Sequence, residues 1–366
     1  MAVHPETDGH GEVVAVQTCH MTCTQVQVFF SKFLCTCRSQ GAPDMKKHLI
    51  ATLAIAAFGS LAHAEDVVFR IGYQKGGLLT ALKSLNWLDA AQKQGIKYEW
   101  YLFPAGPQLL EALRAGAIDF GTTGDTPTIF ALAAGTPLRY VAITKTEDPR
   151  GSAIVVDKNS PIKSLKDLKG KKIALQRGSS AHYLTQLALA EVGLDLNDIE
   201  IINLPPAEAR GALESGTVDA WTIWDPFYAI VQAGGNVRVL RDSKGLTDGV
   251  GYFSTVDRVL KDTGKNQALS YLLAELKRTA DWTNKNTDKV VDLWYEELGI
   301  PKDILKVVNR RSGDTKVTTF PLSQLKYLQK QSDTFFKLGI IPNKVNFTNE
   351  LIGKVPFTKN VKVAQK

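Results

Sequence analysis

The chain has 366 residues, 44% apolar and 22% charged, with 44 basic against 37 acidic side chains and a net charge of +7. That is enough chain for two domains with cores of their own, and the balance excludes a disordered, collagenous or fibrous protein. All four cysteines lie within residues 1–44 and all three methionines within residues 1–45, while residues 65–366 hold a single histidine, His182. This excludes a disulfide scaffold, a zinc ribbon, a lipid-modified cysteine anchor and a cysteine-nucleophile enzyme from that body.

In chain order, residues 1–44 carry Cys19, Cys23, Cys35 and Cys37 at spacings that match no common structural zinc site, so no metal is expected. Residues 45–64 read MKKHLIATLAIAAFGSLAHA. A basic start (Lys46, Lys47), an apolar run from Leu49 to Leu61 and the exit Ala62-His63-Ala64 form a secretory signal peptide, too short to span a bilayer. Because such a segment sits at an N-terminus, Met45 is expected to be the translation start and residues 1–44 a mis-set extension. The exported chain then begins near Glu65. No later window makes a membrane span, since the best, Ile129 to Ile143, is interrupted by Gly135, Pro137 and Arg139.

The body alternates strand and helix patterns, which predicts an α/β fold with largely parallel strands. Val67–Tyr73 is an alternating strand, followed by Gly76-Gly77 and a helical stretch from Leu79 to Gln94. A strand over Ile96–Phe103, a helix over Pro107–Ala115, a short strand at Phe120–Thr123 and a helix over Thr128–Ala134 follow. The run KSLKDLKGKK (Lys163–Lys172) reads as a solvated face. Basic residues are otherwise interspersed with acidic ones, with no basic–aromatic stripe or helix-turn-helix, so nucleic acid is not an expected partner.

An internal repeat is visible. ALRAGAID (Ala112–Asp119) recurs as ALESGTVD (Ala212–Asp219), and the register carries on to Thr122 with Thr222 and Asp125 with Asp225. A second pair aligns IGYQKGG (Ile71–Gly77) with IALQRGS (Ile173–Ser179). Each half thus has a strand ending in Gln, a cation and Gly before a helix start, and later an Asp at the head of another helix. The first N–H groups of such helices have no intrahelical partner and lie at the positive end of the dipole, which suits an anion. Ligands of open α/β sheets lie beyond the carboxyl ends of strands, so two such halves enclose a cleft.

Within Gln176-Arg177-Gly178-Ser179-Ser180-Ala181-His182, the serines are N-cap residues, Gly178 permits close backbone approach and His182 lies one turn in. That set suits a multi-oxygen anion. In Thr122–Pro127 and Trp221–Pro226, Asp125 and Asp225 each precede a helix with Pro near its first turn and read as structural caps, with a second use in orienting donors or meeting an amino group on the ligand. Trp224 is either core or a cover for the ligand's carbon chain. An enzyme is disfavoured: there is no GxSxG elbow and no P-loop GK[ST], and Ser180 and His182, two apart on a helix, do not face each other.

These segments are specific enough to name a likeness. RIGYQKG (Arg70–Gly76), FPAGPQLLEAL (Phe103–Leu113), IDFGTTGDTP (Ile118–Pro127), NSPIKSLKDLKGKKIALQRGSSAH (Asn159–His182) and VDAWTIWDPF (Val218–Phe227) resemble SsuA-type periplasmic binding proteins of ABC importers for aliphatic sulfonates. The wider family also binds nitrate, taurine and thiamine precursors, and any of these is the alternative ligand. The resemblance implies a two-lobed type II periplasmic binding protein fold. Each lobe is a mostly parallel sheet flanked by helices, residues 65–151 with 250–366 form one lobe and 152–249 the other, and the hinge lies near Gly151 and Gly249. It implies that Gln74, Gly76, Thr123, Gly124, Asp125, Ser179, Ser180, His182, Trp224 and Asp225 contact the ligand. It further implies a periplasmic monomer that captures an alkanesulfonate without turnover, needs no cofactor and docks on an inner-membrane ABC permease. The turn after the first strand, Gly76-Gly77-Leu78-Leu79, departs from the family's GSIG-like turn and bears on the ligand's chain length.

Overall fold

The alternating segment Val67–Tyr73 opens a sheet, as its pattern requires, in a computed structural model that describes residues 66–146 and 149–360. The extension 1–44 and the signal segment 45–64 lie outside the described residues. Strands β1 (Val67–Tyr73), β2 (Ile96–Leu102), β3 (Phe120–Thr123) and β4 (Leu138–Lys145) build the first lobe's sheet. The chain then crosses into β5 (Ser152–Asp157), β6 (Lys172–Leu175), β7 (Glu200–Asn203), β8 (Ala220–Trp224) and β9 (Val237–Asp242) of the second. It returns as β10 (Val250–Val256) and β11 (Lys316–Thr318), giving sheet orders β11-β4-β10-β3-β1-β2 and β7-β6-β8-β5-β9.

The sheets are mixed in pairing rather than simply parallel. In the first, β1 pairs in parallel with β2 and β3, whereas β10 is antiparallel to both β3 and β4, and β11 to β4. In the second, β6 is parallel to β7 and β8, and β5 is antiparallel to β8 and β9. Most strands of each sheet still point the same way; β10, β11 and β5 are the contrary ones. The reason is the crossing. Majority strands bring their carboxyl ends to the cleft, and a chain arriving from the other lobe enters at that edge and must run away from it. β5 and β10 each begin directly after a crossing.

Helices connect the strands: α1 (Gly77–Ser84), α2 (Gly106–Ala115), α3 (Asp125–Ala133), α4 (Ser180–Ala190), α5 (Pro206–Glu214), α6 (Phe227–Ala233) and α7 (Asp257–Lys261). Four more, α8 (Thr263–Lys285), α9 (Thr287–Leu298), α10 (Lys302–Ser312) and α11 (Ser323–Lys337), complete the return segment. The helical stretch expected over Leu79–Gln94 is broken: α1 stops at Ser84, Asn86 adopts φ 52° and a 3-10 segment covers Trp87–Gln94. Asn tolerates the left-handed region that other side chains avoid, so it ends the helix where apolar periodicity alone would continue it.

The repeat is a structural unit. Gly116 and Gly216, at φ 82° and 72°, close matching helix ends, where Ala117 N–H and Thr217 N–H each donate to the carbonyl of Ala112 or Ala212 at 2.9 Å. Asp119 then exchanges two bonds with the Arg70 backbone, accepting N–H at 3.0 Å and donating its own at 2.8 Å. Asp219 does the same with Lys172, at 2.8 Å both ways. Each aspartate therefore fixes one strand's start against its neighbour's, which sets the register of the short strand that leads to Asp125 or Asp225.

Two apolar contacts join the lobes, among others. Phe130 of α3 and Phe335 of α11 pack on His182 of α4, with ring centroids 6.1 and 5.3 Å from the imidazole. Elsewhere Ala229 of α6 is buried with Val290, Val291 and Trp294 of α9 and Leu305 and Val308 of α10. A buried aliphatic or aromatic side chain of this kind stabilises by roughly 1.5–3 kcal/mol. These contacts hold the lobes closed on one another.

Candidate functional site

Between the contacts lies a cavity of about 240 Å³. The carboxyl ends of the majority strands supply Gln74 after β1, Gly124 and Asp125 after β3, Ser179 and Ser180 after β6, and Trp224 at the end of β8. The crossings supply Ser152, Thr247, Asp248, Gly249 and Val250. An adjoining chamber of about 290 Å³ shares Ser152, Trp224, Thr247 and Gly249, and adds Gly77, Leu78, Lys145, Asp225 and Arg311. Trp224 thus forms a wall common to both. A volume of this size fits a small ligand rather than a drug-sized one.

Helix α4 offers part of its N-terminus to the cavity. The Ser179 hydroxyl and N–H both donate to the Gln176 carbonyl, at 2.7 and 3.1 Å, and His182 N–H donates to the Ser179 carbonyl at 3.0 Å. Among the described residues nothing accepts from the N–H of Ser180 or Ala181. Two backbone donors at the positive helix end are therefore open, which is the chemistry an anion needs.

Across the cavity, Asp125 is 5% exposed and fully engaged. Its Oδ1 accepts from Thr126 N–H at 2.7 Å, the Thr126 hydroxyl at 3.1 Å and the Ser180 hydroxyl at 2.8 Å; its Oδ2 accepts from the Tyr327 hydroxyl at 3.0 Å. Burial and the negative charges of Asp125 and Asp248 push the Tyr327 phenol far above its ordinary range, so it remains a donor. The Ser180–Asp125 bond joins the lobes. Gly124 is glycine for the same reason: a methyl there would overlap the Ser180 hydroxyl and lie 3.1 Å from its Cβ.

Asp225 has a different partner. Its Oδ1 and Oδ2 take Arg311 Nη1 of α10 at 3.0 and 3.2 Å, and Oδ1 also accepts Ala229 N–H at 3.0 Å. Arg311 additionally reaches Gln232 Oε1 and stacks 4.1 Å over the Tyr228 ring. Burial raises the Asp225 carboxyl from 3.8 to about 6, against the opposing pull of Arg311 and the Ala229 amide. Neither aspartate is itself the N-cap, which is Gly124 for α3 and Pro226 for α6, yet each carboxylate binds an amide in the first turn of the helix it heads.

The remaining expected residues fall as follows. Gln74 lines the cavity and donates to the Thr122 carbonyl at 3.2 Å. Gly76, at φ 86°, is on neither chamber's lining and faces Pro226. Thr123 is buried, with its hydroxyl donating to the Gly124 carbonyl. His182 does not face the cavity. It is 1% exposed, its Nδ1 accepts Gly178 N–H at 3.3 Å, its Nε2 has no partner among the described residues, and burial assisted by Arg177 lowers its pKa to about 4. Helix phase explains this: roughly 200° separates it from Ser180, so when the serine faces the cavity the imidazole faces the core. Ser152, Asp248, Arg311 and Tyr327 were not expected. The first two flank the crossing glycines Gly151 and Gly249 and line the cavity.

Against known proteins, the NMT1/THI5 like family model matches residues 92–254. A curated relative from Escherichia coli (strain K12), named for binding aliphatic sulfonates, is 36% identical over 84% of this chain and 95% of its own length. Among solved structures, the alkanesulfonate-binding protein SsuA from Xanthomonas axonopodis pv. citri, bound to MOPS, aligns with TM-score 0.74 and 33% identity over 80% of this chain and all of that one. The periplasmic aliphatic sulphonate binding protein SsuA from Escherichia coli aligns with TM-score 0.69 and 34% identity, over 82% of this chain and 96% of its own.

Proposed function

The chain belongs to the SsuA-like family of type II periplasmic binding proteins, in the aliphatic-sulfonate class of ABC-transporter components, and we propose that it captures alkanesulfonates in the inter-lobe cavity and delivers them to an ABC permease for sulfur uptake. The observation that carries this reading is the N-terminus of α4, where Ser179 and Ser180 line the inter-lobe cavity and nothing among the described residues accepts from the N–H of Ser180 or Ala181. Ser180, Ser179, Gln74, Gly124, Asp125 and Trp224 are the contacts we assign, with the sulfonate at the α4 terminus and the carbon chain against Trp224.

Magnitudes are sufficient. Each hydrogen bond to a charged group contributes about 1.5–3 kcal/mol and the helix terminus roughly 0.3–2 kcal/mol. A micromolar site needs about 8 kcal/mol in all. Closure comes from rotation about the crossings near Gly151 and Gly249, between lobes of residues 65–151 with 250–366 and residues 152–249. The permease then reads the closed form.

A thermal-shift panel tests the assignment, because a ligand that binds only the native state raises its melting temperature by mass action. Alkanesulfonates from ethane to octane should raise it, with sulfate flat. A rise with nitrate or a pyrimidine and none with any sulfonate refutes the reading.

A further inference from the structure

The net charge of this chain is concentrated in one segment. Residues 316–366 carry nine lysines and two acidic side chains, a surplus of seven that equals the net charge of all 366 residues. Residues 152–249, which include the run KSLKDLKGKK, hold 11 basic and 12 acidic side chains and are close to neutral. Between Lys316 and Glu350 the single acid is Asp333.

Helix α11 displays the centre of that surplus. Its inner side buries Leu325, Leu328, Gln331, Ser332 and Phe335, and Phe335 packs on His182 of the other lobe. Its outer side carries Lys326, Lys330 and Lys337, all exposed, and at 100° per residue they fall within about 40° of one another. None of the three has an ion-pair partner among the described residues, and Asp333 is instead held by Gln329 Nε2 at 3.0 Å. Leu322 and Phe336, 60% and 43% exposed, border the same arc. They are two of only five large apolar side chains left exposed among the described residues. The three lysines also line an open groove beside Phe347.

Unpaired ammoniums flanked by exposed apolar side chains on one helix face are the make-up of a surface that lies on an anionic bilayer. The cations meet lipid phosphates, and the apolar groups enter the headgroup boundary. We propose that the outer face of α11 is a docking surface for anionic phospholipid, which holds the protein reversibly at the membrane. The groove beside Phe347 seats headgroup phosphates among the three ammoniums, while Leu322 and Phe336 dip below them. This surface is separate from the sulfonate cavity and uses none of its residues. Each lysine near such a membrane contributes about fivefold to partitioning, so the three together contribute about 100-fold.

Co-sedimentation of the exported chain with vesicles tests the proposal, one set of phosphatidylcholine alone and one of phosphatidylcholine and phosphatidylglycerol in equal parts. At low ionic strength the chain should pellet with the mixed vesicles and stay in solution with the neutral ones, and added salt should release it by screening. Replacing Lys326, Lys330 and Lys337 together by Gln should lower partitioning to the mixed vesicles about 100-fold with an unchanged melting temperature. Replacing Lys163, Lys166 and Lys169 by Gln removes the same charge from an exposed stretch of the other lobe and should cost far less. Pelleting that is equal with both vesicle types, pelleting with neither, or equal losses from the two triple variants overturns the proposal. Should the first variant melt early, single replacements of the same lysines, each costing about fivefold, decide in its place. All of these outcomes leave sulfonate capture standing, since that is measured without lipid.

Discussion

Replacing Arg311 by methionine removes one cation from a buried inter-lobe pair and leaves Asp225 without its counter-charge. The side chains are 15% and 11% exposed and meet at 3.0 and 3.2 Å, so the carboxylate has little water to fall back on. Breaking such a pair costs about 3–5 kcal/mol when the remaining group stays charged. Losing the stack on Tyr228 adds roughly 0.5–2 kcal/mol that does not depend on pH. Asp225 titrates near 6 when folded against an ordinary 3.8, so the native state holds its proton more tightly than the unfolded chain does. Its contribution to stability is therefore greatest below pH 4 and falls as pH rises through 6. Without Arg311 the carboxyl moves higher still, and the loss extends to higher pH. Arg311→Met should lower the melting temperature by about 7–14 °C at pH 8, at about 2 °C per kcal/mol, and by only about 1–4 °C at pH 4.5. If the lobes open to wet the carboxylate before unfolding, part of the loss appears instead as a larger radius of gyration by X-ray scattering at pH 8. Asp225→Asn on top of Arg311→Met should recover most of the pH 8 deficit. Equal losses at both pH values with an unchanged radius, or a double variant worse than the single one, would refute the reasoning.

Gly124→Ala should weaken sulfonate binding about 10–100-fold, because the new methyl displaces the Ser180 hydroxyl from Asp125; calorimetry checks this, and the unliganded melt should move little. His182, with its pKa lowered from 6.5 to about 4, binds fewer protons folded than unfolded, so its contribution is present above 6.5 and lost as pH falls toward 4, by about 3 kcal/mol in all. His182→Phe should flatten that part of the acid side of a urea-denaturation profile without weakening the ligand. Asp119→Asn should destabilise more than Asp219→Asn in urea melts. Both hold a strand N–H, but Asp119 is fully buried and also holds Arg258 and Lys265 at 2.7 Å each.

The strand and turn framework was legible because it rests on local rules: alternation at Val67–Tyr73, left-handed glycines at Gly116 and Gly216, and an internal repeat whose matched aspartates perform matched backbone work. Six of the expected contacts, Gln74, Gly124, Asp125, Ser179, Ser180 and Trp224, come together on one cavity because each lies at a strand's carboxyl end. Sequence reasoning lost its grip where position depends on packing. His182 follows two serines in sequence but not around the helix. Asp248 sits in an Asp-Gly pair that reads as an ordinary turn, and its place on the cavity lining depends on how the crossing leads into β10. Arg311 and Tyr327 belong to helices far along the chain from the groups they bind, at separations of 86 and 202 residues, and no local pattern links them.

The repeat also explains how one position came to serve two purposes. Asp125 and Asp225 stand in register, each at the head of a helix, each binding a first-turn amide and a donor from the opposite lobe. What differs is the donor. Asp225 takes a guanidinium in the adjoining chamber, a charge-on-charge contact that sets the spacing of the lobes without using any donor of the ligand cavity. Asp125 takes four neutral donors at the cavity itself, which spread its charge over the surrounding dipoles. Had Asp125 recruited the arginine, the pair would have filled the space a ligand needs; had Asp225 been left to neutral donors, its buried charge would have favoured opening. With the latch separate from the pocket, Ser180 holds the far lobe through its hydroxyl while nothing among the described residues accepts from its backbone N–H.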